Sequence, residues 1–468
     1  MAALQPRKTI SYKTWVAIAG LLVVATYIIW IMLALARKPT ITVDYLAKLN
    51  EVAAAVPEPD RAWPRYQEVL STVGGEPQSP AQWPGDPGWE VLQTWVDDQA
   101  HEIEQLRQIA TMPGMGNVLT LPSGGPSSPS PLLQGSVISV NLPALGGMRS
   151  LARLLMIDAR EAMASGDGDR AAADIIAILG IARHLREHPI LINDLVSLSL
   201  FRMALTTAAG VMERAPAILS DAHLAVLATA LAETDDLLPI RITGERYMML
   251  DILQRIYTDD GEGDGWLIPG SLGEVMGFAQ SGTGPSTFLS TLVAPAADCL
   301  IASRREMREE ADRFYEGAAL HRGDPLWQWE ENPHNAVLEA RKNKPLGRFE
   351  YVLLDTLAPA LDQTALRARY AEGWRDAALA AIAIEQFRRR EGRWPATLAE
   401  AMENPVPDPW APQPMGLVIR NGKPVLYSLG SDRDDDGGTP PTIGGASARA
   451  WAPDKGVDGD WILWPEAD

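Results

Sequence analysis

The chain has 468 residues, 46% of them hydrophobic, which is long enough for about two to four domains and apolar enough for a sizeable core. Its net charge of −19 and pI of about 4.8 exclude nucleic acid as a partner, because phosphate binding needs a basic face. The single cysteine, Cys299, excludes an internal disulfide and a cysteine-based zinc site, and it fits a reducing compartment or an exported protein that avoids thiols.

An uncharged stretch of 22 residues, from Trp15 to Ala36, is the strongest single signal in the sequence. A helix of this length spans about 30 Å, the thickness of a bilayer core. Residues 1–38 are therefore predicted to form a cytoplasmic tip and a single-pass anchor in a bacterial inner membrane. A slight bias of basic residues favours the bulk of the chain outside the cytoplasm. A cleaved signal peptide is the alternative, although the stretch exceeds the usual apolar segment of about 7–15 residues.

The next region, residues 39–140, reads as short helices separated by loops rich in proline and glycine. Thr42 or Asp44 is placed to cap the first helix. The region from 89 to 110 has the apolar spacing of one amphipathic helix. This region is thus predicted to be helical and rich in loops.

Residues 141–374 form the best-patterned helical region, which we call the helical body. Apolar residues recur every three or four positions on both sides of the sequence SGDGD, which predicts a helical hairpin. Gly166 is expected to end one helix, and Asp167 or Asp169 to cap the next. The alanine-rich antiparallel helices are similar to tetratricopeptide-like arrays, but no clean repeat of roughly 34 residues occurs. We therefore expect an irregular helical bundle or solenoid.

The pattern changes again near residue 403, where prolines, short β-prone runs and many aspartates follow. Asn421-Gly422 between two apolar runs predicts a β-hairpin. Residues 375–468, which we call the tail, are thus expected to form a small β-containing module. The predicted fold class is α+β: an N-terminal transmembrane helix, a mostly α-helical body and this C-terminal module.

The order of motifs in the tail resembles the C-terminal part of the type II secretion major pseudopilin. That family has a helix, then G-x-[WY]-P-x-x-L, D-P-W-G, a strand ending in Y-S-x-G-x-D-G-x-G-G, and an Asp-rich close. The matching residues are Gly392, Trp394, Pro395, Leu398, Asp408, Pro409, Trp410, Tyr427, Ser428, Gly430, Asp432, Gly437 and Gly438. The whole layout is also similar to membrane-anchored proteins of planctomycete-type bacteria that join a helical domain to such a tail.

The chain departs from a pseudopilin in two respects. Its N-terminus lacks the short leader that ends in glycine and is followed by phenylalanine and glutamate. In addition, roughly 340 residues separate the anchor from the tail. We therefore treat the tail as a reused module rather than as a pilin.

Pseudopilin tails bind calcium in the loop that matches residues 429–438, with help from later aspartates, so the resemblance implies a calcium site. The residues themselves predict one too, since Asp432, Asp434 and Asp436 occupy positions 1, 3 and 5 of a D-x-D-x-D-G run. Position 12, a glutamate in an EF-hand, is Ile443, so a ligand must come from elsewhere. The predicted ligands are Leu429 and Ser431, which the resemblance alone implies, and Asp432, Asp434, Asp436, Asp458 and Asp460.

Charge supports a cation in this part of the chain. Residues 425–468 carry nine acidic and three basic residues. Extracellular calcium modules bind with a Kd of about 10⁻⁴–10⁻³ M, so the ion would be structural and would be acquired outside the cytosol. A solvated acidic loop without metal is the alternative.

Two histidines, His184 and His188, lie four positions apart and can in principle bind zinc from one helical face. No third ligand is evident, and Pro189 follows directly. Histidines in a last helical turn also interact favourably with the helix dipole, and this is the interpretation we favour.

Other polar motifs give no coherent catalytic pattern, and we predict no catalytic residue. Glu245, Asp251 and the acidic residues of 259–264 could do acid–base work but favour a solvated face. The glycine-rich segment at 281–284 lacks the P-loop lysine, and Cys299 is expected to be a buried structural thiol. The aromatic segment 326–334 is either a contact surface or, in the preferred interpretation, a loop folded onto the helices.

The function predicted from these features is non-enzymatic. We expect a membrane-anchored extracytoplasmic scaffold or protein-interaction protein of the cell envelope, linked to secretion and stabilised by calcium. Its partners would be the membrane and other envelope proteins. The alternative is an envelope hydrolase with its site in the helical body, which a deep pocket of converging His, Asp or Glu would favour.

Overall fold

The fold is mostly helical, with a small sheet in the tail. A computed structural model describes residues 11–35, 39–121, 135–140, 142, 144–268, 271–273, 275, 300–320, 325–328, 350–357, 361–443, 446–447 and 458–465. Its α-helices are α1 Tyr12–Leu35, α2 Tyr45–Ala55, α3 Trp63–Thr72, α4 Trp89–Asp98, α5 Ala100–Ile109, α6 Ala144–Ser165, α7 Gly168–Leu185, α8 Leu191–Arg214, α9 Asp221–Ala232, α10 Thr243–Ile256, α11 Arg304–Leu320, α12 Val352–Leu357, α13 Leu361–Glu391 and α14 Leu398–Ala401. Its strands are β1 Gly416–Arg420, β2 Lys423–Ser428, β3 Thr442–Ile443, β4 Ala446–Ser447 and β5 Trp461–Trp464. This composition confirms the α+β class.

Two described helices are long and apolar enough to cross a membrane. The apolar window of α1, Tyr12–Ile29, has a mean hydropathy of 1.7, and none of it is buried in the rest of the protein. The window in α8 is 72% buried, because α8 packs against α6, α7 and α13. Thus α8 is a core helix, and α1 is the apolar helix that the body leaves uncovered.

Helix boundaries in the body follow local capping chemistry. Gly166 has a left-handed φ of +80° between α6 and α7, and the Asp167 carboxylate accepts the Arg170 N–H at 3.0 Å to cap α7. Of the two candidates for the cap of α2, Asp44 is the one that accepts, from the Ala47 N–H at 2.9 Å. The single helix predicted for 89–110 is wrong, since it breaks at Gln99 into α4 and α5.

Two large apolar cores organise the described residues, and a small third cluster, Ala411, Tyr427, Leu429 and Ile462, lies in the tail. The first core lies among helices α3–α9 and α13 and includes side chains of the tail. The second core lies among α2, α10, α11 and α12. In the first core, α7 approaches the end of α5 so closely that a Cβ at Gly180 would lie 2.3 Å from the Ala110 carbonyl oxygen. Only glycine fits there, which explains a glycine inside a helix.

The tail packs directly on the last long helix. Trp461 of β5 makes edge-on contacts with Tyr370 and Trp374 of α13, with ring centroids 5.4 and 5.8 Å apart. All three rings belong to the first core, as do Trp410 and Leu426. The expected division between body and tail at 374/375 falls inside α13, and the two regions share one core.

The sheet confirms the predicted hairpin. β1 and β2 pair antiparallel with Arg420 opposite Lys423, and Asn421 and Gly422 have φ of 51° and 77° at the turn. β5 pairs antiparallel with the other edge of β2, which gives the order β1-β2-β5. β3 and β4 form a separate short pair. The segment that follows β2, residues 429–438, is the acidic loop.

Candidate metal centre

Asp408 fixes the start of the acidic loop. Its side chain is buried and accepts hydrogen bonds from the Ser428 hydroxyl at 2.7 Å, the Leu429 N–H at 2.9 Å and the Trp410 N–H at 2.7 Å. Burial raises the pKa of Asp408, and these three donors oppose that shift. In the sequence, Asp408 stands out only as a residue that matches a motif. An aspartate whose carboxylate accepts the N–H two residues later forms a turn, and Asp before Pro-Trp is a signal for one.

Four aspartates converge at the acidic loop. Asp432, Asp434, Asp436 and Asp458 each offer a carboxylate oxygen, and these oxygens all lie within 4.8 Å of one another. Three of them alternate along one loop, and the fourth comes from a segment 22 residues further along the chain. The 21 residues between Asp436 and Asp458 therefore do not prevent convergence of the two groups.

Backbone hydrogen bonds bring the second segment back to the first. The Asp460 N–H donates to the Thr439 carbonyl at 2.7 Å, and the Gly459 N–H donates to Asp432 Oδ2 at 2.8 Å. Gly459 has a φ of +120°, and a Cβ there would lie 2.7 Å from the Pro441 Cα. A glycine is thus required where the chain turns Asp458 toward the cluster.

Among the residues that the structure describes, two buried carboxylate oxygens in this region have no hydrogen-bond partner: Asp432 Oδ1 and Asp460 Oδ1. Asp460 is fully buried, and its other oxygen accepts the Gly438 N–H at 2.6 Å. A buried carboxylate oxygen without a donor is costly unless something neutralises it. Asp432 is a member of the converging group, so a cation bound by Asp432 Oδ1 would satisfy that oxygen.

The surroundings of the loop disfavour the ionised form of its aspartates. Burial raises the pKa of Asp432, and it raises the pKa of Asp460 to about 6. Desolvation raises the pKa of Asp436 as well, and the neighbouring charges of Asp434 and Asp458 add to the shift. In the part of the chain that the structure describes, no ion pair joins any of these carboxylates to a lysine or arginine. The negative charge has no protein counterion among those residues.

Not every acidic residue of the loop takes part. Asp435 Oδ1 accepts the Tyr427 hydroxyl at 3.0 Å and the Gly437 N–H at 2.9 Å. It is a structural residue of the turn, and it belongs to the same run of acids as the converging group. That contrast makes Asp435 a useful matched control.

The donor set indicates the kind of ion. Its ligand atoms are carboxylate oxygens, which hard cations such as Ca²⁺ and Mg²⁺ prefer over the nitrogen and sulfur ligands of zinc. Two oxygens on opposite sides of a calcium ion, each at about 2.4 Å, lie about 4.8 Å apart. The described residues therefore include a group that can hold a metal ion.

The predicted ligands fall into three classes. Asp432, Asp434, Asp436 and Asp458 come together. Asp460 lies beside them but outside the converging group, held by Gly438. The roles of Leu429 and Ser431 stay predictions.

Both histidines make structural hydrogen bonds. His184 Nδ1 lies 2.8 Å from the Tyr66 hydroxyl, Nε2 lies 2.9 Å from the Met112 carbonyl oxygen, and burial lowers the pKa of His184. His188 lies 3.1 and 2.7 Å from the carbonyl oxygens of Leu49 and Asn117. Helix α7 ends at Leu185, so the two histidines do not share a helical face.

The solvated-face interpretation is wrong for Asp251. This side chain is 1% exposed and binds the Ser136 hydroxyl, the Val137 N–H and the Gln254 amide. Glu245 accepts the Leu191 N–H at 2.6 Å at the start of α8. These acids organise backbone termini rather than a reaction centre.

Three sequence candidates lie outside the described residues: Cys299, the segment 281–284 and residues 329–334. A comparison of the chain with protein-family models, curated proteins and solved structures finds no match. The geometry of the acidic loop is accordingly the basis of the functional argument.

Proposed function

We propose that this protein is a membrane-anchored extracytoplasmic scaffold of the bacterial cell envelope, with a tail that is stabilised by calcium. The observation that carries the proposal is the convergence of four carboxylates, one of which, Asp432, has a buried oxygen without a donor among the described residues. Calcium is available at millimolar concentration outside the cytosol, where low-affinity sites of this kind are filled. The bound ion would tie the acidic loop to the segment that precedes β5.

Helix α1 supports the membrane part of the proposal. It has the length and composition of a membrane span, and none of its apolar window is buried in the rest of the described chain. We propose that it is an uncleaved inner-membrane anchor with its N-terminus in the cytoplasm. A signal sequence would share these features, so topology needs a direct test.

The helical body supports the scaffold role by its architecture. Packed helices present broad surfaces for partner proteins, which is an argument by analogy of fold. We propose that the partners are other envelope proteins and that the tail is a pseudopilin-like module. The hydrolase alternative gains no support from His184, His188 and Asp251, because all three make structural hydrogen bonds.

Calcium titration of the full chain in detergent tests the ion. We expect millimolar calcium to raise the melting temperature and EDTA to reverse the rise, because the ion binds only the folded state. Asp434→Asn should abolish most of the calcium response, since it removes a converging ligand. Asp435→Asn, the matched control, removes the same charge but keeps its acceptor oxygen and should retain the response. Equal responses of the two variants, or none in the wild type, would remove the calcium site.

Labelling of a single cysteine tests the topology. Ile419 is 43% exposed on β1, so Ile419→Cys in a Cys299→Ser background gives an accessible thiol in the tail. A membrane-impermeant maleimide should label it in spheroplasts without lysis. Labelling only after lysis would place the tail in the cytoplasm and end the extracytoplasmic proposal.

A further inference from the structure

Three exposed apolar side chains lie on segments that meet at the C-terminal end of α10. Among the large apolar side chains described outside α1, Trp266 has the highest exposed fraction, 64%. Ile41 is 53% exposed and Leu300 is 48% exposed. We call these three residues the apolar patch. Single exposed apolar residues are ordinary on protein surfaces, so their common location is the point of interest.

Hydrogen bonds hold all three segments to five consecutive residues, 254–258. The Gln254 side chain accepts the N–H groups of Thr42 and Val43, each at 3.2 Å, and donates to the Val43 carbonyl at 2.9 Å. The Thr258 N–H donates to the Trp266 carbonyl at 3.0 Å. The Tyr257 hydroxyl donates to the Ala302 carbonyl at 3.0 Å. Each bond lies within two residues of a member of the apolar patch.

The same helix end is where the chain enters the body from α1. Helix α1 ends at Leu35, and Thr42 lies seven positions later. An extended chain over that distance spans at most about 25 Å. The end of α10 that holds Thr42 therefore stays within that reach of the end of α1.

Resting on the proposed membrane anchoring, we infer that the apolar patch contacts the surface of the bilayer that α1 crosses, with Trp266 as a second point of attachment. Tryptophan suits the membrane–water interface because its ring is largely apolar while its N–H can stay hydrated. Two attachments, the covalent link to α1 and the contact of the apolar patch, would hold the body in one orientation above the membrane.

The contact is apolar rather than ionic. The loop that carries Trp266 contains Asp259, Asp260, Glu262 and Asp264. Arg304 pairs with Asp259 at 2.5 Å, and Asp264 accepts the Arg305 N–H at 3.1 Å. Since the four acids outnumber these two arginines, the surroundings of Trp266 remain acidic. An acidic loop is repelled by anionic lipid, and salt would not break an apolar contact.

Depth-dependent quenching in vesicles tests the inference. The full chain, in a Cys299→Ser background, carries a fluorophore on Glu262→Cys, which lies in the loop of Trp266 and leaves the tryptophan in place. The matched control carries it on Val226→Cys, a position on α9 whose side chain is 52% exposed. Phosphatidylcholine vesicles contain lipids with a nitroxide near the headgroup. We expect quenching at 262 to exceed quenching at 226 by about twofold or more, unchanged in high salt.

A second variant assigns the effect to the tryptophan. Trp266→Ser should lower quenching at 262 toward the value at 226, and since the side chain is exposed the substitution leaves the core intact. Equal quenching at 262 and 226, loss of the difference in high salt, or no effect of Trp266→Ser would each overturn the inference. Alkaline carbonate extraction separates this failure from that of the anchor: release of the chain from the membrane overturns both, whereas a retained chain with no difference at 262 overturns the apolar patch alone.

Discussion

Acidic side chains are neutralised in different ways in the helical body and in the acidic loop. In the body, Asp158 and Asp174 are fully buried, and Arg107 binds both of them, at 2.6 and 2.7 Å. Arg170 pairs with Asp158 as well. The protein thus supplies its own cations where helices α5, α6 and α7 meet.

A third buried acid in the body is also paired with arginines. Asp194 near the start of α8 is fully buried and lies 2.5 Å from Arg241 and 3.5 Å from Arg186. In the acidic loop the converging carboxylates face one another instead. The buried acids of the body are thus paired with arginines of the protein, whereas at the proposed metal site the countercharge of the loop would come from an ion in solution.

The largest expected effect comes from removing an internal cation. Arg107→Met leaves two buried carboxylates short of a partner, and we expect a loss of stability of about 3–5 kcal/mol. The loss should be the same in calcium and in EDTA, as measured by unfolding of the full chain in detergent. Arg153→Met is the matched control, because Arg153 pairs with Glu76 at an exposed site and should cost less than about 1 kcal/mol. A loss of stability in Arg107→Met that depends on calcium would contradict the contrast between the body and the acidic loop.

An intermediate effect is expected from pH in the absence of metal. The folded pKa of Asp460, about 6, lies above that of an unfolded aspartate, so the folded state binds more protons between these values. Stability in EDTA should therefore fall as pH rises from 4 to 7, by on the order of 2 kcal/mol from this group. Asp460→Asn should remove that part of the slope.

Burial also raises the pKa of Asp376 to about 6. Stability therefore falls with pH because of this residue too, in the wild type and in Asp460→Asn alike. The difference between the wild type and Asp460→Asn isolates the contribution of Asp460. With calcium present the dependence should reverse, because protons compete with the ion for carboxylates. An identical slope in the wild type and Asp460→Asn would contradict the assignment.

The smallest effect is a change of sign. In EDTA, Asp434→Asn removes one of several repelling charges and should raise the melting temperature slightly, by about 1 °C. In calcium the same variant should melt below the wild type, because a ligand is lost. Differential scanning fluorimetry in both buffers measures the two shifts. Destabilisation in both buffers would show that Asp434 has a structural role like the acids of the body.

Local signals in the sequence predicted much of the fold. Gly166, Asp44 and the pair Asn421-Gly422 act through backbone conformation and short-range hydrogen bonds, so their roles can be read from neighbours in the chain. The spacing of Asp432, Asp434 and Asp436 likewise predicted a group of carboxylates.

Most long-range contacts were beyond that reasoning. Arg107, for example, is 51 residues from Asp158. Asp251 looked like a surface acid until its partners at Ser136 and Val137 were placed beside it. The expected division between body and tail falls inside α13, and the two regions share one core. The rings that pack together there come from distant segments of the chain.

The position of β5 in the chain has a consequence for biosynthesis. Trp461 and Asp458 come after every other described element except the rest of β5, yet they complete the aromatic contact on α13 and the carboxylate group. While the chain is being made, the faces of Tyr370 and Trp374 that pack against Trp461 remain uncovered until that residue emerges. A chain truncated before Asp458 would thus have an open aromatic surface on α13, and quality-control proteases recognise such surfaces.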